Sequence, residues 1–253
     1  TYLTNDVGNW FREQVAAHPE AKWRIALVHK NVFSGSGHQE DEETPLFRET
    51  MLPIFKDCEI DLVLQGHDHC YEIIGPVNPD TRTPILDAIT DVEEVPVNMV
   101  NNMTGKKGGT FRVDDGTLYF IGATCGTKRY NPNHKLTMEA DYEKHKVENY
   151  YDLFTGMFGQ PGRPSYSSST VDGNTITVNS YKVYKDIDPV LFNTFYIKRT
   201  KEHNSGDKQG PISLEQLIQE NGTAKIIYDG SMFIVRENIA YNALGQIVFD
   251  KRN

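Results

Sequence analysis

Four histidines, and the spacing between them, carry the chemistry this sequence could do. His67 and His69 stand one residue apart in Gln65-Gly66-His67-Asp68-His69-Cys70-Tyr71, directly after the apolar run Ile60-Asp61-Leu62-Val63-Leu64. In an extended segment, residues two apart point the same way with Cα atoms roughly 6.5–7 Å apart, so both imidazoles can lean over one edge of a sheet. Metal ions about 3.5–4 Å apart, each roughly 2.0–2.1 Å from an imidazole nitrogen, fit such a pair. A His-x-His pair is weak alone, since surface histidines fall into that spacing by chance. Its company strengthens it. Trp23-Arg24-Ile25-Ala26-Leu27-Val28 is a second strand-like run ending in a histidine, His29, and His38 follows nine residues later. Functional groups in open α/β sheets gather beyond the carboxyl ends of strands. His29, His67 and His69 are therefore expected together as metal ligands rather than as three scattered surface histidines.

The elements that must position them can be read in order. Ile60 to Leu64 is a run without polar alternation, as in a strand covered on both faces. Asp6 to Ala17 reads as an amphipathic helix capped by Asp6, with Trp10, Phe11 and Val15 at helical spacing. Asn31 to Glu43, rich in glycine, serine and acids, reads as a loop at the ligand-bearing end. Thr44 to Lys56 returns as a helix, with Pro45 in the first turn and Leu46, Phe47, Met51, Leu52 and Phe55 as its buried face. The unit is strand-helix-strand, for which a right-handed crossover is expected.

Gly75 to Asp115 is rich in proline, asparagine and glycine and reads as a surface insertion with short strands, a substrate-facing lid being the second choice. Leu118 to Ile121 is a strand. Met138 to Phe154 reads as helical, anchored by Tyr142, Tyr150, Tyr151 and Phe154, and Gly156 to Ser169 breaks the pattern. Thr175–Tyr184 and Phe192–Lys198 alternate as paired strands. A polar linker, a short helix from Ser213 to Glu220, and a three-strand meander from Ala224 to Phe249 close the chain.

These residues resemble the calcineurin-like metallophosphoesterases of the purple-acid-phosphatase type. The resemblance rests on Asn9-Trp10-Phe11, Val28-His29-Lys30, His38, the run from Leu62 to Tyr71, and Gly122 to Asn131. It spans residues 5–131 and covers the C-terminal half of the family pattern. The family's Asp-x-His, its Gly-Asp with a spaced acid or tyrosine, and its Gly-Asn-His do not occur in the chain. The fold it implies is α/β (α+β), the C-terminal half of a two-sheet sandwich over residues 1–199, followed by a linker at 200–212 and a small β-rich module at 213–253. That module resembles the β-rich tails of exported Bacteroidales proteins, which implies a periplasmic or secreted protein; the preferred reading is a stand-alone β appendage.

The resemblance also implies a cofactor and a reaction. Two divalent or trivalent metal ions (iron, zinc or manganese) would neutralise the oxygens of a phosphate ester and activate water for in-line displacement. His29 and His67 match ligands of the second metal and His69 a ligand of the first, an incomplete set. His38 matches the outer-sphere histidine that contacts phosphate and can protonate the leaving oxygen. The alternative is a non-catalytic binding or scaffold protein that keeps the half-fold. An uncovered sheet face implies self-association or pairing with an N-terminal half.

Composition narrows the remaining classes. A net charge of −9 and a pI near 5.4 argue against nucleic acid as the main partner, because phosphate-backbone contacts need clustered lysine and arginine. Cys58, Cys70 and Cys125 make no disulfide framework, and Cys70 reads as a small buried hydrophobe rather than a soft ligand. No apolar run is long enough to span a membrane. His18, His134, His145 and His203 lack convergent company and are expected at the surface.

Overall fold

Two short parallel strands, each leading into a histidine, set the architecture. The computed structural model describes residues 5–94, 103–132, 150–203, 224–228, 231–236, 239–242 and 246–250. β1 (Ile25–Leu27) pairs in parallel with β2 (Leu62–Leu64), and β2 in parallel with β7 (Thr117–Gly122). β3 (Tyr71–Val77), β8 (Phe158–Gly159) and β5 (Met103–Thr104) continue the sheet antiparallel, giving six strands in the order β1-β2-β7-β3-β8-β5. The second sheet has five strands, β4 (Ile89–Glu94), β6 (Lys106–Arg112), β11 (Val190–Lys198), β10 (Thr175–Lys182) and β9 (Ser165–Asp172), in that spatial order.

The two mixed sheets pack as a sandwich. Leu62, Tyr71, Ile73, Leu118 and Phe120 of the first meet Phe111, Ile176, Val178, Phe195 and Ile197 of the second in one buried cluster. Strand alternation sends Tyr119 to the opposite face of the first sheet. There its ring lies 5.0 Å from Phe33 and 6.5 Å from Phe55, which belongs to α2 (Glu43–Asp57), the helix that follows α1 (Asn5–Ala17) in the chain. Two mixed sheets with helices form an α+β sandwich, and among the described residues no helix is long and apolar enough to cross a membrane.

Several expectations need correction. The 75–115 segment is no surface insertion, because it supplies β4 and β6 of the second sheet and the core residue Phe111. Ser165 to Ser169, the end of the segment expected to break the pattern, does not do so. It forms most of β9, an edge strand where Ser168 and Ser169 are exposed and only one neighbour, β10, must be paired. In α2 (first residue Glu43) Leu46 is exposed, and Arg48 takes an inward position beside Met51, Leu52 and Phe55. The helical reading of 138–154 falls largely on residues outside those described, as do Ser213–Glu220, His134 and His145.

β1 stands at the edge of its sheet. Leu27 is 81% exposed there, in an apolar groove also lined by Val7, Trp10, Phe11, Phe47 and Met51. Nor is His203 a surface residue: its Nε2 lies 3.0 Å from Asp61, whose carboxylate also accepts the Arg24 amide at 2.7 Å and pairs with Arg199.

Contacts divide the chain into two compact units, Thr1–Phe11 with Glu20–Asn204, and Arg12–Pro19 with Ser205–Asn253. Taken by itself, the second carries a four-stranded antiparallel sheet, β12 (Ala224–Tyr228), β13 (Ser231–Arg236), β14 (Ile239–Asn242) and β15 (Ile247–Asp250), rather than a three-strand meander. Asn242 is the reason. Its side-chain oxygen accepts the Gln246 amide at 2.9 Å and its own amide bonds the Gln246 carbonyl at 2.9 Å, turning the chain where one long strand was expected.

Candidate functional site

Parallel pairing of β1 with β2 brings two histidines side by side at the carboxyl ends of the strands. Val28 donates to the Leu64 carbonyl at 2.9 Å and Gly66 to the His29 carbonyl at 3.2 Å, so the pairing runs on past the strands. A Cβ on Gly66 would lie 3.4 Å from both His29 Nδ1 and the His29 carbonyl, an ordinary van der Waals contact, so the two chain segments run in direct contact here. The next residue, His67, adopts a left-handed backbone (φ 66°), a conformation that costs a non-glycine residue about 1–3 kcal/mol and persists where surrounding structure enforces it.

The His67 ring is the centre of the group. Its centroid lies 5.3 Å from that of His29 on one side and 3.9 Å from that of His38 on the other. Burial, with His38, Lys30 and His29 nearby, holds the His67 imidazole below the ordinary histidine range, leaving a nitrogen lone pair free at neutral pH. His69 is turned toward another wall. Its Nδ1 lies 2.8 Å from the Lys128 carbonyl oxygen, and its ring lies 4.8 Å from that of Tyr130, which is also 5.1 Å from His38.

Asp41 is the residue that sequence reasoning missed. His38 sits in the 3-10 turn Gly37–Glu40, and its Nδ1 is 2.7 Å from Asp41 Oδ2. One ligand atom from each of His38, Asp41 and His67 can be chosen so that all lie within 4.8 Å of one another. The signal was the three-residue interval between His38 and Asp41, which places both side chains on one side of such a turn.

The donor set fits a metal ion in type, with borderline imidazole nitrogens and one carboxylate. It does not supply the bridging carboxylates that hold two cations together. Three acids near His67 and His69 in sequence, Asp61, Asp68 and Glu72, are committed elsewhere. Asp61 precedes β2, at the far end from His67, and is bound to Arg24, Arg199 and His203. Asp68 is buried and accepts the hydroxyls of Ser34 and Ser36, while Glu72 is buried and accepts the Gly35 amide at 3.1 Å. Burial first, and the neighbouring Asp68 second, push the Glu72 carboxyl well above the usual range.

Cys70 is fully buried, and its thiol donates to the Tyr130 carbonyl at 3.2 Å. Burial pushes its pKa far up, so it stays a thiol rather than a metal-binding thiolate. Iodoacetamide added to the native chain is expected to label the exposed Cys125 and to spare Cys58 and Cys70 until denaturant is added. Rapid native labelling of Cys70, read by mass spectrometry, would contradict this burial.

No protein-family profile matches the chain. It is 36% identical over 85 residues to "Purple acid phosphatase 3" of Arabidopsis thaliana, an alignment covering 32% of this chain and 21% of the relative. It is 27% identical over 126 residues to the uncharacterized protein Rv2577 of Mycobacterium tuberculosis, covering 47% of this chain and 23% of that protein. Purple acid phosphatase PPD1 from yellow lupin (Lupinus luteus) seeds superposes with a TM-score of 0.47 at 17% identity, over 75% of this chain and 28% of that one. The chain thus spans about a fifth to a quarter of the curated relatives it matches. The sequence likeness to a purple acid phosphatase and the two-sheet sandwich together support a calcineurin-like fold.

Proposed function

We propose that the chain is the histidine-bearing part of a metal-dependent phosphoesterase that hydrolyses phosphate esters at a dinuclear metal centre. The observation that carries this reading is the convergence of His29, His38 and His67 where parallel strands β1 and β2 end. His29 and His67 would hold one ion and His69 the other. When bound, the ions supply charge neutralisation at the phosphate oxygens and an activated water. His38 contributes a proton to the leaving oxygen from its free ring nitrogen, while Asp41 on Nδ1 fixes the ring. Tyr130 walls the site between His38 and His69, with the Lys128 ammonium 5.0 Å from its ring centroid.

Carboxylates to bridge two ions would come from elsewhere, because Asp61, Asp68 and Glu72 are already engaged. The 253-residue chain saturated with zinc, iron or manganese is therefore expected to retain fewer than two ions after gel filtration and to turn over nitrophenyl phosphate poorly. The protein encoded by the whole reading frame containing residues 1–253 is expected to bind two ions and hydrolyse the ester, with both properties lost in His67→Ala. Metal binding by that protein without hydrolysis of any phosphate ester would replace this reading with the non-catalytic scaffold. Rapid turnover by the 253-residue chain alone would mean that its own acids complete the centre.

A further inference from the structure

The segment that carries His38 is gripped from beneath by two buried carboxyl groups. Asp68, Cys70 and Glu72 are each at most 1% exposed, and Asp68 and Glu72 both reach the turn Ser34-Gly35-Ser36, while Tyr71 between Cys70 and Glu72 joins the core between the sheets. Asp68 takes one serine hydroxyl on each oxygen, Ser34 on Oδ2 at 2.5 Å and Ser36 on Oδ1. Both oxygens of Glu72 face the Gly35 amide, at 3.1 and 3.2 Å. A buried carboxyl group is costly unless its oxygens are satisfied. Here the partners come from three consecutive residues of one turn, so turn and carboxyls each require the other in place.

The rest of the turn is bonded as fully. Gln65 accepts the Val32 amide at 2.8 Å and donates to the Phe33 carbonyl at 2.9 Å, Arg48 donates to the Val32 carbonyl at 2.8 Å, and the Tyr150 hydroxyl bonds both backbone groups of Ser34. A Cβ on Gly35 would lie 2.4 Å from the Phe158 ring and 2.8 Å from that of Phe154, so the turn has no slack above. Ser36 sits at the cap of the His38 turn, yet its hydroxyl makes no cap bond and goes to Asp68 instead. A serine at that position ordinarily caps.

We propose that Asp68 and Glu72 are positioning residues that lock Ser34-Gly35-Ser36 and thereby hold the His38 ring against His67. The role deepens the phosphoesterase reading and rests on it for its purpose, but the lock itself is present in the chain without metal or substrate. Asp68 lies between the two histidines of the His-x-His pair, so one strand end carries site groups outward and their brace inward. A protonated Glu72 satisfies the arrangement, because one carboxyl oxygen then donates to Asp68 while the other accepts from Gly35.

The test uses histidine-labelled 253-residue chain in metal-free solution, reading the NOE cross-peak between the His38 and His67 rings, whose centroids are 3.9 Å apart. Glu72→Gln keeps an acceptor for Gly35 and a donor for Asp68, and is expected to retain the cross-peak. Glu72→Leu and the double variant Ser34→Ala/Ser36→Ala are expected to lose it while the fold remains, as judged by methyl resonances of the sandwich core. Should the double variant fail to fold, Ser36→Ala alone gives the same reading. A cross-peak that survives in folded Glu72→Leu and Ser36→Ala, or is lost in Glu72→Gln, overturns the lock. Failure to find hydrolysis leaves these signals untouched, so the two readings fail separately.

Discussion

Alanine at position 38 is expected to lower turnover of an alkyl phosphate monoester by about 10²–10⁴-fold in the metal-loaded, full-length protein, the range typical of a lost proton donor. Metal content should stay unchanged. The physical basis is the division of labour around one ring. Asp41 at 2.7 Å occupies Nδ1 and fixes ring and tautomer, leaving Nε2 for the leaving oxygen. An alkoxide leaving group needs that proton because it is a strong base, whereas nitrophenolate departs unprotonated. The loss on nitrophenyl phosphate should accordingly be several-fold smaller, and Asp41→Asn should reproduce part of the effect. Equal losses on both substrates would reduce His38 to a loop residue. Loss of a metal ion in His38→Ala would instead make His38, Asp41 and His67 a ligand set, as their mutual reach within 4.8 Å allows.

How legible this was from sequence depends on the range of the interaction concerned. β2 was visible because a short run of apolar residues without polar alternation needs no knowledge of the rest of the chain. That His29 sits beside His67 required the parallel pairing of Leu27 with Leu64, a contact between residues far apart in sequence that only the two apolar runs hinted at. Asn31 to Glu43 shows the opposite limit. Its glycines, serines and acids read as a loop at the ligand-bearing end, with nothing local to show that residues 31–36 are all buried. Burial there is possible because Gln65, Arg48, Tyr150 and Glu72 supply hydrogen bonds to the backbone, and these partners lie as much as 116 residues away. Arg48 illustrates the same point from the other side: helical periodicity puts it on the face of Met51, Leu52 and Phe55, its residue type reads as polar surface, and its guanidinium lies 4.9 Å from the Phe33 ring centroid. The second sheet was half hidden for a compositional reason. Glycine and proline between residues 75 and 115 mimic a loop, but β6 uses Gly108 and Gly109 in positive-φ conformations inside a paired strand.

Removing the Asp61 carboxylate should be the most damaging single change to the fold, at about 3–5 kcal/mol for Asp61→Ala, the cost typical of breaking a buried ion pair from one side. The residue is 1% exposed and gathers three partners from distant parts of the chain: the Arg24 amide ahead of β1, the Arg199 guanidinium just after β11, and His203 Nε2 at 3.0 Å. Since β1 and β2 belong to one sheet and β11 to the other, this carboxylate ties the two layers together at one end of the sandwich. Alanine would leave the Arg199 side chain, only 7% exposed, without its buried counter-charge. Asparagine keeps one acceptor oxygen but no charge, so Asp61→Asn should fall between alanine and the unaltered protein. Urea unfolding followed by tryptophan fluorescence is suited to the measurement, because Trp23 adjoins Arg24 in sequence. A fall in the midpoint with an unchanged slope assigns the effect to stability. A loss below about 1 kcal/mol would show that Arg199 and His203 find other partners cheaply, as surface pairs do. Because Asp61 precedes β2 while His67 follows it, zinc affinity of the folded Asp61→Asn protein should match that of the unaltered chain; a drop there would mean that strain at one end of this three-residue strand reaches the histidines at the other.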